Sequence, residues 1–242
     1  MMLRVCSGWH PAGSAHYGRR FLDTFDRFWP KSVDLQVYVE AAEPMPRDAC
    51  RMLWDIPGAT AFRDAYREDQ AAQGRVPQRN WKPTEVQRGY SFRHDAYKFF
   101  KQILIPGAAA RDLADGDILI WLDGDVMTLK TVPENFFPAL LDGVDVCYLG
   151  RQPQHSEIGF YGLTISDKTR AFMIEMARLY TTGEFTKYPE WHSAFVWDRA
   201  REKFDMRERN LCKPGARGHV FPSTVLAPLL DHRKGPRKGV AR

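Results

Sequence analysis

Apolar and polar positions alternate along this chain with two periods. A short apolar run over residues 3–6 reads as a strand, and a loop rich in Gly, Ser and His follows over 7–18. From 19 to 29 the apolar positions Phe21, Leu22, Phe25 and Phe28 recur at helical spacing, until Pro30 stops the pattern. The period then drops to two over 33–39, as in a half-buried strand. Strand, loop, helix and strand in that order open a doubly wound α/β layer. Residues 62–90 turn polar and charged, with few apolar anchors. That is too long for an ordinary connection, so a surface excursion with some helix and the character of a lid is expected there. Helical spacing returns over 92–104 through Phe92, Ala96, Phe99, Phe100 and Ile103, and Pro106-Gly107 is expected to break it.

The second half repeats the alternation. An unbroken apolar run over 118–122 predicts a strand buried on both faces. Residues 126–132 and 144–149 read as strands around a helix begun near Pro133, and 158–165 as another strand. A helix over 164–180 opens on Ser166-Asp167 cap chemistry and buries Phe172, Met173, Met176 and Leu179. A further helix is expected over 193–200. No repeat and no shift in composition divides the chain, so one α/β domain is expected over 1–242, with a basic tail at 231–242.

Composition narrows the function classes. A chain of 242 residues is long enough for a sizeable core, and no segment approaches the roughly 20 apolar residues of a membrane span. The opening apolar run is too short for a signal peptide, and Cys6, Cys50, Cys147 and Cys212 are scattered without metal-ligand spacing. A cytoplasmic protein with free thiols is the expectation. The formal net charge of +5 is modest but uneven, because Arg233, Lys234, Arg237, Lys238 and Arg242 crowd the end. Such a run is either a solvated tail or an anion site.

Two short segments carry the chemistry. Asp123-Gly124-Asp125 closes the buried strand at 118–122. Ligands of open α/β sheets bind at the carboxyl ends of strands, so both carboxylates are delivered to the binding edge. The other Asp-x-Asp, Asp115-Gly116-Asp117, precedes the strand and reads as a turn. Hard oxygen ligands suit Mn²⁺ or Mg²⁺, and a metal so placed suits a diphosphate. The second segment is His232, followed by Gly235 and Lys238 at intervals of three. A neutral imidazole completes a metal shell begun by carboxylates, Gly lets backbone approach a phosphate, and Lys adds a point charge.

An apolar strand ending in Asp-x-Asp, with a late His-x-x-Gly-x-x-Lys, resembles the glycogenin-like, galactosyltransferase-type enzymes of GT-A fold. The resemblance implies a single Rossmann-like domain with a mixed, mostly parallel sheet flanked by helices. It implies Asp123, Asp125 and His232 as the metal site for Mn²⁺ (or Mg²⁺), and Asp123, Gly235 and Lys238 as contacts of a nucleoside-diphosphate sugar. It also implies a retaining hexosyltransferase-like enzyme. The aromatic ending the family carries after the Lys is replaced here by Gly239 and Val240.

Further candidates follow from position. The loop after the first strand, 7–17, lies where the enzymes this chain resembles hold the nucleobase, so the resemblance implies Trp9 or Tyr17 as the ring that stacks on it. Arg93 and Lys98, on the helix before the carboxylate strand, are placed to reach donor phosphates. Glu157 opens the strand that walls the acceptor side in related transferases, as acceptor ligand or base. Many relatives carry an acid near the reacting sugar carbon; Ser193 stands at the aligned position, leaving Glu190 or His192 as catalytic candidates. Inversion, with Glu157 or His192 as base, stays open beside retention. The acceptor is a glycan, a protein or a modified DNA base. A nucleotidyltransferase acting on a sugar phosphate is the alternative enzyme, but no basic Gly-rich loop follows the first strand. A nucleic-acid-binding protein with a basic tail is the non-enzymatic alternative, and no recognised motif supports it.

Overall fold

The computed structural model describes residues 1–41, 49–235 and 237. β1 (Leu3–Trp9) outruns its apolar stretch because Ser7 is also fully buried in the sheet. A helical turn, α1 (Pro11–Gly13), leads into α2 (Arg19–Phe28), which buries Phe21, Leu22 and Phe25 as its spacing demands. β2 (Asp34–Val39) and the three-residue β3 (Cys50–Met52) follow, then α3 (Ala59–Tyr66), α4 (Pro83–Arg88) and α5 (Ala96–Ala109). The carboxylate strand is β4 (Ile118–Leu122), followed at once by β5 (Val126–Thr128). The remaining elements are α6 (Phe136–Leu141), β6 (Val146–Tyr148), β7 (Phe160–Thr164), α7 (Asp167–Thr181), α8 (Ser193–Arg201), β8 (Glu208–Asn210) and β9 (Leu230–His232).

Seven strands form one mixed sheet in the order β3-β2-β1-β4-β7-β6-β8. The pairs from β3 to β4 are parallel, β7 is antiparallel to both β4 and β6, and β8 is parallel to β6. All five residues of β4 are buried, and their alternation feeds two cores. Ile118, Ile120 and Leu122 pack with α2 residues, whereas Leu119 and Trp121 pack with α5, α7 and α8 residues on the other face. A helix layer on each face is why this strand reads as an unbroken apolar run. The sheet reverses its strand order at β1, so the carboxyl ends of β1 and β4 open a crevice between them.

Several expected boundaries shift, each for a physical reason. α5 begins at Ala96, after a separate 3-10 turn at Phe92–His94, and runs through Pro106 to Ala109. A proline inside a helix costs about 3 kcal/mol. Burial of Ile103, Leu104 and Ile105, at roughly 1.5–3 kcal/mol each, exceeds that cost. The strand expected over 126–132 ends at Thr128 and lies outside the main sheet, paired antiparallel with β9. The start of the expected basic tail is therefore a strand. Ser166 caps α7 reciprocally with Thr169, as its sequence suggests.

The polar excursion at 62–90 is tied to the body at several points. Phe62 lies 2% exposed among Phe100, Tyr180 and Phe185. Trp81 Nε1 donates to His94 Nδ1 at 3.0 Å, and Asn80 donates to the Pro189 carbonyl at 2.6 Å. Among the described residues, no helix is long and apolar enough to cross a membrane.

Candidate active site

Where β4 ends, the chain turns so that Val126 N–H donates back to the Asp123 carbonyl at 2.9 Å. Asp123 N–H donates to the Gly159 carbonyl at 3.0 Å, which fixes the turn to the strand entering β7. The β5–β9 pair sets Val126 opposite His232, and Arg233 N–H donates to the Asp125 carbonyl at 3.0 Å. A ladder between segments more than a hundred residues apart thus presses the imidazole against the carboxylates. His232 Nε2 lies 3.1 Å from Asp125 Oδ1 and 3.6 Å from Asp123 Oδ2.

The other ring nitrogen is equally determined. His232 Nδ1 donates to Glu157 Oε1 at 2.9 Å, and Glu157 is only 2% exposed. The same carboxylate accepts from His219 Nδ1 at 2.9 Å and from Val220 N–H at 3.3 Å, and it pairs with the Lys234 ammonium at 2.9 Å. Burial opposes the Glu157 charge, but the His232 hydrogen bond and the Lys234 ammonium hold the carboxyl well below its usual range. An ionised carboxylate on Nδ1–H fixes the ring so that Nε2 faces Asp123 and Asp125. Burial disfavours the imidazolium, yet hydrogen bonds to Asp125 and Glu157 outweigh it and push His232 up to about 9. Burial raises the Asp123 carboxyl; His232 pulls it back and the Asp125 charge adds to the net rise.

These features fit a divalent cation. One atom each of Asp123, Asp125 and His232 lies within 4.8 Å of the others, with two hard oxygens and one imidazole in the set. A carboxylate behind the histidine completes the arrangement in which an outer residue orients a ligating ring. Two glycines make room for it. A Cβ at Gly124 would lie 2.8 Å from Trp9 Cε3, so the residue between the two aspartates has no space for a side chain. A Cβ at Gly159 would lie 2.3 Å from His232 Cε1.

The cluster forms one wall of a cleft of about 680 Å³. Tyr17, Lys98, Gln102, His192 and Gly235 line it with the cluster. Trp9 also borders the cleft, but at 1% exposure its ring is packed between Tyr17 and Phe21, so it forms floor rather than an open stacking face. Tyr17 is half-buried, and burial followed by the charges of Asp125 and Asp123 raises its hydroxyl pKa. Lys98 is exposed, with its ammonium 5.4 Å from the Phe99 ring centroid.

Arg93 corrects an expectation. Rather than reaching toward donor phosphates, its guanidinium is buried against Glu85, the Asn80 carbonyl and Glu190. Its fork of donors is used inside the protein, and it does not line the cleft. Glu157 is likewise directed at histidines rather than at the acceptor side. Glu190 sits behind His192, with Oε2 at 2.9 Å from His192 Nε2 and 3.4 Å from His155 Nε2. Burial opposes the Glu190 charge, but hydrogen bonds from His155 and His192 hold it below its usual range. Burial lowers the His192 pKa, and this ring faces the cleft. Lys238 lies outside the described residues.

Gln102, Gly159 and His219 belong to the site without having been picked out in the sequence. Only Gly159, between Glu157-Ile158 and an apolar strand, carried any local signal. At the level of sequence, no protein-family model and no curated protein matches the chain. Mouse xyloside xylosyltransferase 1 aligns in structure over 100% of this chain and 100% of its own, at 11% identity and TM-score 0.52. A galactosyltransferase, LgtC, solved with donor and acceptor sugar analogues, aligns over 97% of this chain and 88% of its own, at 13% identity and TM-score 0.47. A glycosyltransferase involved in glycosylation of the major capsid of PBCV-1 aligns over 98% and 96%, at 14% identity and TM-score 0.46. Likeness at this identity is one of fold: the mixed, mostly parallel sheet flanked by helices is a GT-A Rossmann-like architecture.

Proposed function

We propose that this chain is a metal-dependent glycosyltransferase that moves a sugar from a nucleoside-diphosphate sugar to an acceptor hydroxyl. The observation that carries this reading is the convergence of Asp123, Asp125 and His232 at the end of β4, with Glu157 orienting the imidazole. Those three residues would hold Mn²⁺ or Mg²⁺. Once bound, the cation supplies positive charge to the diphosphate as the bond to the anomeric carbon breaks.

The residues around it divide the remaining work. Lys98 and Lys234 add positive charge on the phosphate side of the cleft, and Gly235, in the left-handed region at φ 59°, lets backbone approach without a side chain. Tyr17 offers the aromatic surface for the nucleobase. His192, held through Nε2 by Glu190, faces the cleft where the acceptor hydroxyl would enter. Retention of configuration is the expected course, on the motif resemblance, and NMR of the product's anomeric proton decides it.

The test is a panel of nucleotide sugars assayed for Mn²⁺-dependent hydrolysis, then for transfer to glycan, protein and modified-DNA acceptors by mass spectrometry. Nucleotide-sugar turnover that chelation abolishes and Mn²⁺ restores supports the reading. Turnover of nucleoside triphosphates with sugar phosphates, and none of nucleotide sugars, would replace it with nucleotidyl transfer.

A further inference from the structure

The two oxygens of Asp123 have different surroundings. Oδ2 faces His232 Nε2 at 3.6 Å. Oδ1 accepts from Gln102 Nε2 at 2.5 Å and from Trp121 Nε1 at 3.2 Å. The indole N–H is shared with the Ile158 carbonyl at 3.0 Å, so the glutamine amide is the fuller donor to Oδ1. At its other end the same amide is held: Gln102 Oε1 accepts from the Ser193 hydroxyl, which lies 1% exposed at the first residue of α8. Gln102 therefore bridges Asp123, just after β4, and Ser193 at the start of α8, and all three residues line the cleft.

From this geometry we infer that Gln102 and Ser193 are positioning residues that present Asp123 to the cation. The inference rests on the metal-site reading above. A carboxylate with one oxygen taken by two N–H donors cannot turn freely, and its second oxygen is left for a ligand. The amide has two possible faces, and only one gives Asp123 a donor. Ser193 selects it, because a hydroxyl proton spent on Oε1 directs the NH₂ group at Oδ1. Reversing the amide would set Oε1 against a carboxylate oxygen, acceptor against acceptor. Ser193 thus serves the site through Gln102, at a position where an acid was expected to act on the sugar directly.

The experiment titrates Mn²⁺ into the full chain by calorimetry, without nucleotide, and records thermal midpoints beside it. Gln102→Met keeps the side-chain length and removes the donor; Mn²⁺ binding should weaken roughly ten- to a hundredfold, the usual cost of losing an outer partner of a metal ligand. Ser193→Ala removes a single oxygen and should weaken binding by a smaller factor, which keeps the test open if the methionine variant folds poorly. Since Ser193 acts only through the amide, the double variant should match Gln102→Met alone. A purely structural role would lower the thermal midpoint and leave Mn²⁺ affinity unchanged. Parent-like Mn²⁺ binding in folded Gln102→Met or in Ser193→Ala overturns the inference, as does a double variant whose loss is the product of the two single losses. Asp125→Asn separates this inference from its premise. If it too binds Mn²⁺ like the parent, the metal site itself is wrong; if it alone loses binding, only the relay is.

Discussion

Gly159→Ala is the sharpest perturbation the structure offers, because the three atoms nearest to the added one all belong to His232. A Cβ there would stand 2.3 Å from His232 Cε1 and 2.4 Å from His232 Nδ1. Ordinary contact begins near 3.4 Å, so the ring has to retreat by about 1 Å. Its present place is set by Nδ1–H on Glu157 at 2.9 Å and Nε2 at 3.1 Å from Asp125. A shift of that size takes at least one of those contacts beyond hydrogen-bonding range. A hydrogen bond to a charged partner contributes about 1.5–3 kcal/mol, which converts to roughly ten- to a hundredfold in Mn²⁺ affinity. Overpacking adds roughly 1–3 kcal/mol of lost stability. Calorimetric Mn²⁺ titration and thermal melts read the two effects separately. The Gly159 carbonyl that holds Asp123 N–H is untouched by the substitution, so the strand turn should survive. If the variant bound Mn²⁺ and melted like the parent, His232 would not be confined as described, and the argument for its ligand role would fall with it.

Asp125→Asn should cut metal-dependent turnover by more than about a hundredfold with little change in melting temperature, since the amide keeps the shape and loses the charge; full activity would remove the central assignment. Truncation after Lys234, which keeps β9 and removes Gly235 onward, should leave the fold intact and weaken nucleoside diphosphate more than nucleoside monophosphate in a binding titration. Equal affinities for parent and truncated chain would make the Gly235 and Lys238 matches chance. Arg93 holds the Glu85 carboxyl down to about 2 from a usual 4.5, with burial opposing. A depressed carboxyl stabilises above its unfolded pKa and loses that contribution as pH falls through the folded one, so Glu85→Gln should flatten the fall in melting temperature between about pH 4.5 and 2. An unchanged pH slope would mean the pair contributes nothing to stability.

The elements that could be read from the chain are those whose burial pattern repeats within a few residues. β4 is apolar throughout because both its faces are covered, and α2 and α7 show their periods because one face of each is. β3, β8 and β9 have three residues apiece, too few for a period of two to stand out. β9 was hidden twice over. The basic density after it reads as a tail, and its partner β5 lies about a hundred residues earlier, so nothing local marks it as a strand. Phe62 was similarly masked by its polar neighbours, although four other aromatic rings surround it.

Glu157 shows where residue-by-residue reading of a site runs out. A lone carboxylate ahead of a strand has the same local sequence whether it is an edge charge, an acceptor ligand or a base. What decides between them are His219 and His232, which meet it from 62 and 75 residues farther along, and Lys234 beyond them. Those partners occupy the 2%-exposed carboxylate with two histidines and the Lys234 ammonium, so its contacts serve the imidazole of His232 rather than an acceptor hydroxyl. The proposed metal ligands Asp123, Asp125 and His232 were easier to see because two of them share one strand end and the third belongs to a spaced motif. Gln102 had no such signal: it is one polar residue on a helix whose neighbours Ile103, Leu104 and Ile105 are buried. Its importance comes from reaching two elements at once, Asp123 after β4 and Ser193 at the start of α8, 21 residues and 91 residues away. Ligands advertise themselves by type and spacing, whereas the residues that aim them are defined by what they touch, which only the folded chain decides.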